Sequence, residues 1–216
     1  MSKLRLILAD DHALVRHGIR KILEERHEWS VVAEAGDGRE AVRVVLEQRP
    51  DVAILDIGMP LLNGIDATRQ IIHRWPDARV LMLSMHKDEP YVARAFHAGV
   101  KGYLLKDSLG GDLLGAVEAV AKGQPFFSPA IASAMVNDYV RRLANDQVVD
   151  PYEALSDRER EIFQLIAEAH SNKDIAVILG ISPATVETHR ARVLQKLDIH
   201  NAAEVVLYAV RRGIIS

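Results

Sequence analysis

Five short aliphatic runs, each followed by a stretch with helical spacing of apolar residues, fill the first half of the chain, and this alternation constrains the fold most. The runs lie at residues 4–9, 31–35, 52–55, 79–84 and 102–105. They are too short for buried helices, rich in β-branched residues and almost unbroken in apolar character, as strands buried on both faces must be. Between them, Leu14, Val15, Ile19, Ile22 and Leu23 make one apolar helical face, and Ala41, Val42, Val45 and Leu46 make another. Leu113, Leu114, Val117, Val120 and Ala121 make a third. Strands alternating with helices predict a doubly wound α/β domain with a five-stranded parallel sheet.

The pattern changes near residue 125. Pro125 and Pro129 bracket a break, a helical segment is expected over about 130–143, and the polar stretch 144–151 reads as a linker. The remaining residues predict four short helices, each with a start signal. Ser156 and Glu159, and Asn201 and Glu204, have capping-box spacing; Ser171 and Ser182 are cap residues, the latter before Pro183. The expected organisation is an α/β domain over 1–124, a linker with a helix over 125–154, and a smaller all-α domain over 155–216.

Composition narrows the chemistry. Apolar residues make up 49% of the chain, enough to build packed cores. There is no cysteine, which excludes disulfides, thiolate metal sites and cysteine nucleophiles. No apolar run is long enough to cross a bilayer, and two aspartates interrupt the N-terminal apolar stretch before a signal-peptide core is complete. A cytoplasmic protein without membrane contact is expected. The net charge of −3 excludes a globally basic nucleic-acid binder, so any DNA contact must come from a local patch. The histidines show no metal-ligand spacing.

In open parallel sheets ligands collect at the carboxyl ends of the strands, and here polar groups stand at those ends. The first strand runs into Asp10 and Asp11, the third into Asp56, the fourth into Ser84, and Lys106 follows the fifth. Singly, each has an ordinary explanation as a cap, a turn residue or a solvated charge. Together, three crowded carboxylates would raise one another's pKa unless a cation sat among them. Mg²⁺, an oxygen-seeking ion, suits that place. A hard metal, a carboxylate, a hydroxyl and a lysine suit phosphoryl transfer. The turn Gly58-Met59-Pro60 then has a purpose: Gly58 brings a carbonyl to the metal, and Pro60 stops the strand so that Asp56 stays at the surface.

Asp10-Asp11, the LDIGMP segment around Asp56, Ser84, GYLLK and the five-fold alternation resemble the flavodoxin-like receiver domain of two-component response regulators, over about 3–123. The resemblance implies that Asp56 is the phosphoryl acceptor, and that Asp10, Asp11, Asp56 and the Gly58 carbonyl hold Mg²⁺, with Asp10 acting through water. It implies that Ser84 and Lys106 bind the phosphoryl group and that Tyr103 is an aromatic switch. Asp107 stands where many receivers have proline.

The segment 171–197 reads as helix, tight turn at Gly180, helix. On the second helix Val186, Val193 and Leu197 share a buried stripe, while Ala184, Thr188, Ala191 and Gln195 face away, flanked by Glu187 and Arg192. From these residues alone, a DNA-reading helix and a helical hairpin with a solvated face both fit. The motifs LSDRERE, SNKDIA, TVETHR and VLQKL resemble the LuxR-type helix-turn-helix domain over 155–216, which identifies the whole as similar to the NarL/FixJ-type regulators. Departures stand at Ala169 and Asp198, where glycine is usual, at Glu187, where lysine is frequent, and at Ala202, where arginine is.

The resemblance implies DNA contacts from Thr185, Glu187, Thr188, Arg190, Ala191, Arg192, Gln195 and Lys196. Glu187 and Thr188 would read bases, and Arg190 and Lys196 would grip phosphate. On the last helix Ala203, Val206, Leu207 and Val210 share one apolar face and Val205, Tyr208 and Ala209 lie off it, so that part of the helix is expected to pair two copies on an inverted-repeat operator. The expected function is transcription control by a homodimer that accepts phosphoryl from a sensor histidine kinase, not a dedicated enzyme. Two other readings fit less well. A phosphatase acting through an aspartyl-phosphate would commonly carry an acid where Gly58 stands. A binding protein with a vestigial receiver would not need the intact acidic constellation.

Overall fold

The computed structural model describes residues 3–85, 89–128, 131–133 and 150–215, with the backbone alone for 89 and 90. It divides into two compact units, Met1–Ala144 and Asn145–Ser216. Most of the helix expected over 130–143 lies outside the described residues, though 131–133 are helical, and so does the linker stretch 144–149.

In the first unit the elements run β1 (Leu4–Ala9), α1 (Ala13–Glu24), β2 (Trp29–Ala35), α2 (Gly38–Gln48), β3 (Val52–Asp56), α3 (Gly64–Arg74) and β4 (Val80–Ser84). Then follow α4 (Glu89–Ala98), β5 (Gly102–Leu105), a 3₁₀ turn (Lys106–Ser108), α5 (Leu109–Ala121) and β6 (Phe126–Phe127). All strands are parallel, in the order β2-β1-β3-β4-β5-β6. The sheet therefore has six strands, one more than expected. The sixth is the Phe126-Phe127 pair inside the proline-flanked break, which aligns with Gly102 and Tyr103. The two phenylalanines pack on opposite faces of the sheet, so alternation was present but too short to read as a strand.

Each buried strand feeds two cores. Ile7, Leu55, Met82 and Tyr103 pack with α2, α3 and α4 residues such as Val45, Ile65, Ile71 and Val92. Leu6, Ile54, Leu81, Leu83 and Leu104 pack with Ile19 and Leu23 of α1 and Leu113, Val117 and Val120 of α5. That two-sided burial is why the strands read as continuous apolar runs. Leu14 does not join its expected face: it is 85% exposed, in the first turn of α1, where the helix has yet to reach the sheet.

Two glycines hold the β3–α3 loop close to its neighbours. A Cβ at Gly64 would stand 1.9 Å from the Asp56 carbonyl oxygen, and one at Gly38 would stand 1.7 Å from that of Leu62. Any other residue at Gly64 would displace the backbone of Asp56, and any other at Gly38 would displace that of Leu62. The side chains of Asp37 and Asn63 cap α2 and α3.

The second unit begins earlier than residue 155. The Asp150 side chain caps a 3₁₀ turn (Pro151–Ala154), Tyr152 is fully buried, and its ring lies 5.8 Å from that of Phe163, edge to face. Four helices follow: α6 (Asp157–Ala167), α7 (Asn172–Leu179), α8 (Pro183–Leu197) and α9 (Ala202–Arg211). Full capping boxes start α6 at Ser156 and α7 at Ser171. At α9 only the forward half forms: Asn201 accepts from the Glu204 N–H, while Glu204 accepts from the His200 N–H and the Asn201 side chain. Gly180, at φ 64°, makes the tight turn between α7 and α8.

Candidate functional site

Register brings the expected polar groups to one edge. Ala9 aligns with Leu55, Asp56 with Leu83, and Ser84 with Leu105, so the residues that end β1, β3, β4 and β5 emerge side by side. The strand order reverses between β1 and β3, which opens a crevice where Asp10 and Asp56 meet.

The centre of this crevice is an ammonium between two carboxylates. Lys106 Nζ lies 2.7 Å from Asp10 Oδ2 and 2.9 Å from Asp56 Oδ2. Asp10 is fully buried, and Asp56 is 5% exposed. Asp56 is thus recessed in the crevice rather than held at the surface, because β3 stays hydrogen-bonded to its last residue and Gly64 packs against that residue's carbonyl. Burial pushes the Asp56 pKa up; Lys106 opposes the rise and Asp10 adds to it. For Lys106, burial works against the charge, but the hydrogen bond it donates to Asp10 and the field of Asp56 hold its pKa above the ordinary value.

Asp11 lies at the mouth. His12 Nδ1 is 2.6 Å from Asp11 Oδ1 and 3.6 Å from Asp10 Oδ1, and the His12 N–H donates to Asp10 Oδ1 at 2.8 Å. Sequence spacing among the histidines gave no sign of this. The signal was simple adjacency, Asp-Asp-His, which a search for helical or zinc-type spacing passes over. Among the described residues this is the group of His and acidic side chains whose ligand atoms come within 4.8 Å of one another. Asp10, Asp11 and Asp56 are carboxylates, the donor type that a hard divalent cation takes, and their contacts include Lys106, His12 and the Ile57 N–H. Gly58 is exposed beside them, 3.8 Å from its Cβ position to Asp56 Oδ2. Ser84 is buried at the end of β4, and Tyr103 is fully buried, turned into the core shared with α3 and α4.

In the second unit α8 buries Val186, Val193 and Leu197, the expected stripe. Ala184, Thr185, Glu187, Thr188, Ala191, Arg192, Gln195 and Lys196 are exposed, and Arg190 is half-buried. Thr188 Oγ1 donates to the Ala184 carbonyl, and Arg190 Nη1 donates to Asn172 Oδ1 at 3.3 Å. Lys196 is otherwise engaged: its Nζ lies 2.8 Å from Glu159 Oε2, within the cap of α6. Burial works against the Glu159 charge, but hydrogen bonds from Lys196 and Ser156 hold its pKa below the ordinary value. Any phosphate that Lys196 meets has to compete with this carboxylate. On α9, Val205 and Ala209 are buried, whereas Val206, Leu207 and Val210 are exposed.

Comparison with known proteins finds a family match in each half of the chain. Residues 6–118 match the family described as response regulator receiver domain, and 153–209 match bacterial regulatory proteins, luxR family. The chain is 40% identical to the oxygen regulatory protein NreC of Staphylococcus epidermidis over 216 residues, covering 98% of this chain and 99% of NreC. Among solved structures, a LuxR-family two-component response regulator from Aurantimonas sp. SI85-9A1 is 40% identical, with a TM-score of 0.61 over 64% of this chain and 99% of that one. The response regulator RcsB, solved in complex with DNA, is 25% identical with a TM-score of 0.58, over 97% and 98%.

Proposed function

The chain belongs to the two-component response regulators that act as transcription factors, a receiver domain followed by a LuxR-family DNA-binding domain, and from that premise we propose that Asp56 accepts a phosphoryl group from a sensor histidine kinase. Such a regulator is not a dedicated enzyme; the receiver promotes its own modification. An Asp56 carboxylate oxygen bonds to phosphorus as the P–N bond to the kinase histidine breaks. Mg²⁺ would be held by Asp11, Asp56 and the Gly58 carbonyl, with Asp10 acting through water, and would neutralise charge on the phosphoryl oxygens. Lys106 follows the incoming oxygens, exchanging its hold on Asp56 for one on the phosphoryl group, and Ser84 donates a hydroxyl to another.

The observation that carries this reading is the Lys106 bridge from Asp10 to Asp56. A buried ammonium on two carboxylates is poised to meet the added charge. Pull on Ser84 and Lys106 would then repack the ends of β4 and β5, which is where Tyr103 sits as the switch. Incubation with acetyl phosphate should label the protein only with Mg²⁺ present, and not in Asp56→Asn. Full labelling of that variant would refute the assignment.

The output is DNA binding by a homodimer, in the cytoplasm. RcsB in its DNA complex supports contact through this domain type, and the exposed Val206, Leu207 and Val210 offer a surface for pairing two copies on an inverted repeat. Glu187 and Thr188 project from the exposed face of α8 as base readers, and Arg190 and Arg192 serve as phosphate contacts.

A further inference from the structure

We propose that His12 sets the cation preference of the Asp56 pocket, by offering an imidazole ligand that lets first-row transition ions outcompete Mg²⁺. The inference rests on the reading of Asp10 and Asp11 as cation ligands. Lys106 already takes Asp10 Oδ2, which leaves Asp10 Oδ1, a buried acceptor of the His12 N–H, and the Asp11 carboxylate on the side of His12. His12 Nδ1 stands within 3.6 Å and 2.6 Å of those same groups. The three residues' ligand atoms all lie within 4.8 Å of one another. Opposite ligands on an octahedral ion with bonds of about 2.1 Å are about 4.2 Å apart, so one ion can engage them with small side-chain rotations.

The chemistry of the donors then decides between cations. With Asp10, Asp11 and Asp56 alone the pocket offers only oxygen, which suits Mg²⁺ and its retained waters. Imidazole is a poor ligand for Mg²⁺ but a good one for the ions from Mn²⁺ to Zn²⁺, whose affinities for nitrogen rise along the series to Cu²⁺. His12 is placed to serve: its Nδ1 pairs with Asp11 Oδ1 at 2.6 Å, a contact that an ion bound between the two would replace. His12 occupies the cap position of α1 without a side-chain cap bond, and its side chain is 70% exposed. Replacing it therefore removes no cap and no core contact, and the effect on metal can be read in a folded protein.

The test is calorimetric titration of the full-length protein with MgCl₂ and, separately, CoCl₂, for wild type, His12→Ala, His12→Gln and Asp11→Ala. Wild type should bind Co²⁺ more tightly than Mg²⁺. Both His12 variants should lose about tenfold or more in Co²⁺ affinity while Mg²⁺ affinity changes by less than about twofold. Asp11→Ala should lose both ions. Equal losses for the two ions in the His12 variants, or Co²⁺ binding that survives Asp11→Ala at histidines elsewhere, would overturn the role of His12 and leave the Mg²⁺ pocket standing. Wild type that binds no Mg²⁺ would overturn the pocket itself.

Discussion

Lys106 Nζ sits 2.9 Å from Asp56 Oδ2, joining the turn after β5 to the end of β3 inside a nearly closed crevice. The pair is a held charge, not a resting one. Burial raises the Asp56 pKa above its ordinary 3.8 despite Lys106, which means that the folded chain binds that proton more tightly than the unfolded chain does. Such a group costs nothing below the unfolded pKa, and its penalty grows as pH rises through the folded pKa. Asp56→Asn should therefore match wild type near pH 4 and be the more stable protein at neutral pH, with Mg²⁺ narrowing the gap. Urea unfolding from about pH 4.5 to about pH 8 measures this. A less stable Asp56→Asn at neutral pH would contradict it.

Tyr152 should behave as a core residue of the DNA-binding domain. It is fully buried against Phe163, and Arg160 donates to its carbonyl and to that of Glu153. Tyr152→Ala should destabilise the domain by about 3–5 kcal/mol, the usual cost of deleting a buried aromatic ring. A fragment beginning at Asp150 should fold and one beginning at Leu155 should not, as judged by helical circular dichroism and its thermal transition. Equal stability of the two fragments would count against this packing.

Two departures from the family pattern fall at left-handed backbone. Ala169 has φ 65° and Asp198 has φ 54°. A Cβ in that region costs about 1–2 kcal/mol, less for aspartate, which tolerates it. Ala169→Gly should raise the stability of the helical domain by about 1 kcal/mol, and Asp198→Gly by less. Thermal unfolding of the full chain measures both; a loss in Ala169→Gly would show that the left-handed strain is absent.

On α8, charges that look alike should differ in effect. Arg192 is exposed, whereas Lys196 is bound to Glu159. Arg192→Ala should weaken DNA binding and make its salt dependence shallower by about one unit of slope. Lys196→Ala should leave the slope unchanged and lower stability by less than about 1 kcal/mol. Glu187→Ala should shift preference at one base pair by about 1–3 kcal/mol. Uniform tightening on all sequences would show that Glu187 only repels phosphate.

The sheet was legible because buried strands and amphipathic helices leave different periods, and parallel register then carries Asp10, Asp56, Ser84 and Lys106 to one edge without further instruction. Phe126-Phe127 escaped notice because two residues carry no period. The burial of Asp56 was misjudged for a different reason. Pro60 does end the extended run, but what recesses the carboxylate is the close approach of Gly64 to the Asp56 carbonyl, a tertiary contact between residues eight positions apart. The engagement of Lys196 likewise depends on how α6 meets α8, and the role of His12 on a side-chain rotation. On α9 the spacing defined two apolar sides but not which one the domain would cover.

The central claim is that phosphorylation of Asp56 governs DNA binding by α8. It is tested most directly by fluorescence anisotropy on an operator selected from the host genome, with wild type and Asp56→Asn, each with and without acetyl phosphate and Mg²⁺. The phosphodonor should tighten wild-type binding to a two-half-site operator by about tenfold or more, a coupling of about 1.4 kcal/mol, and should leave Asp56→Asn unchanged. An equal response in both proteins, or none in wild type that is stoichiometrically phosphorylated, would contradict it.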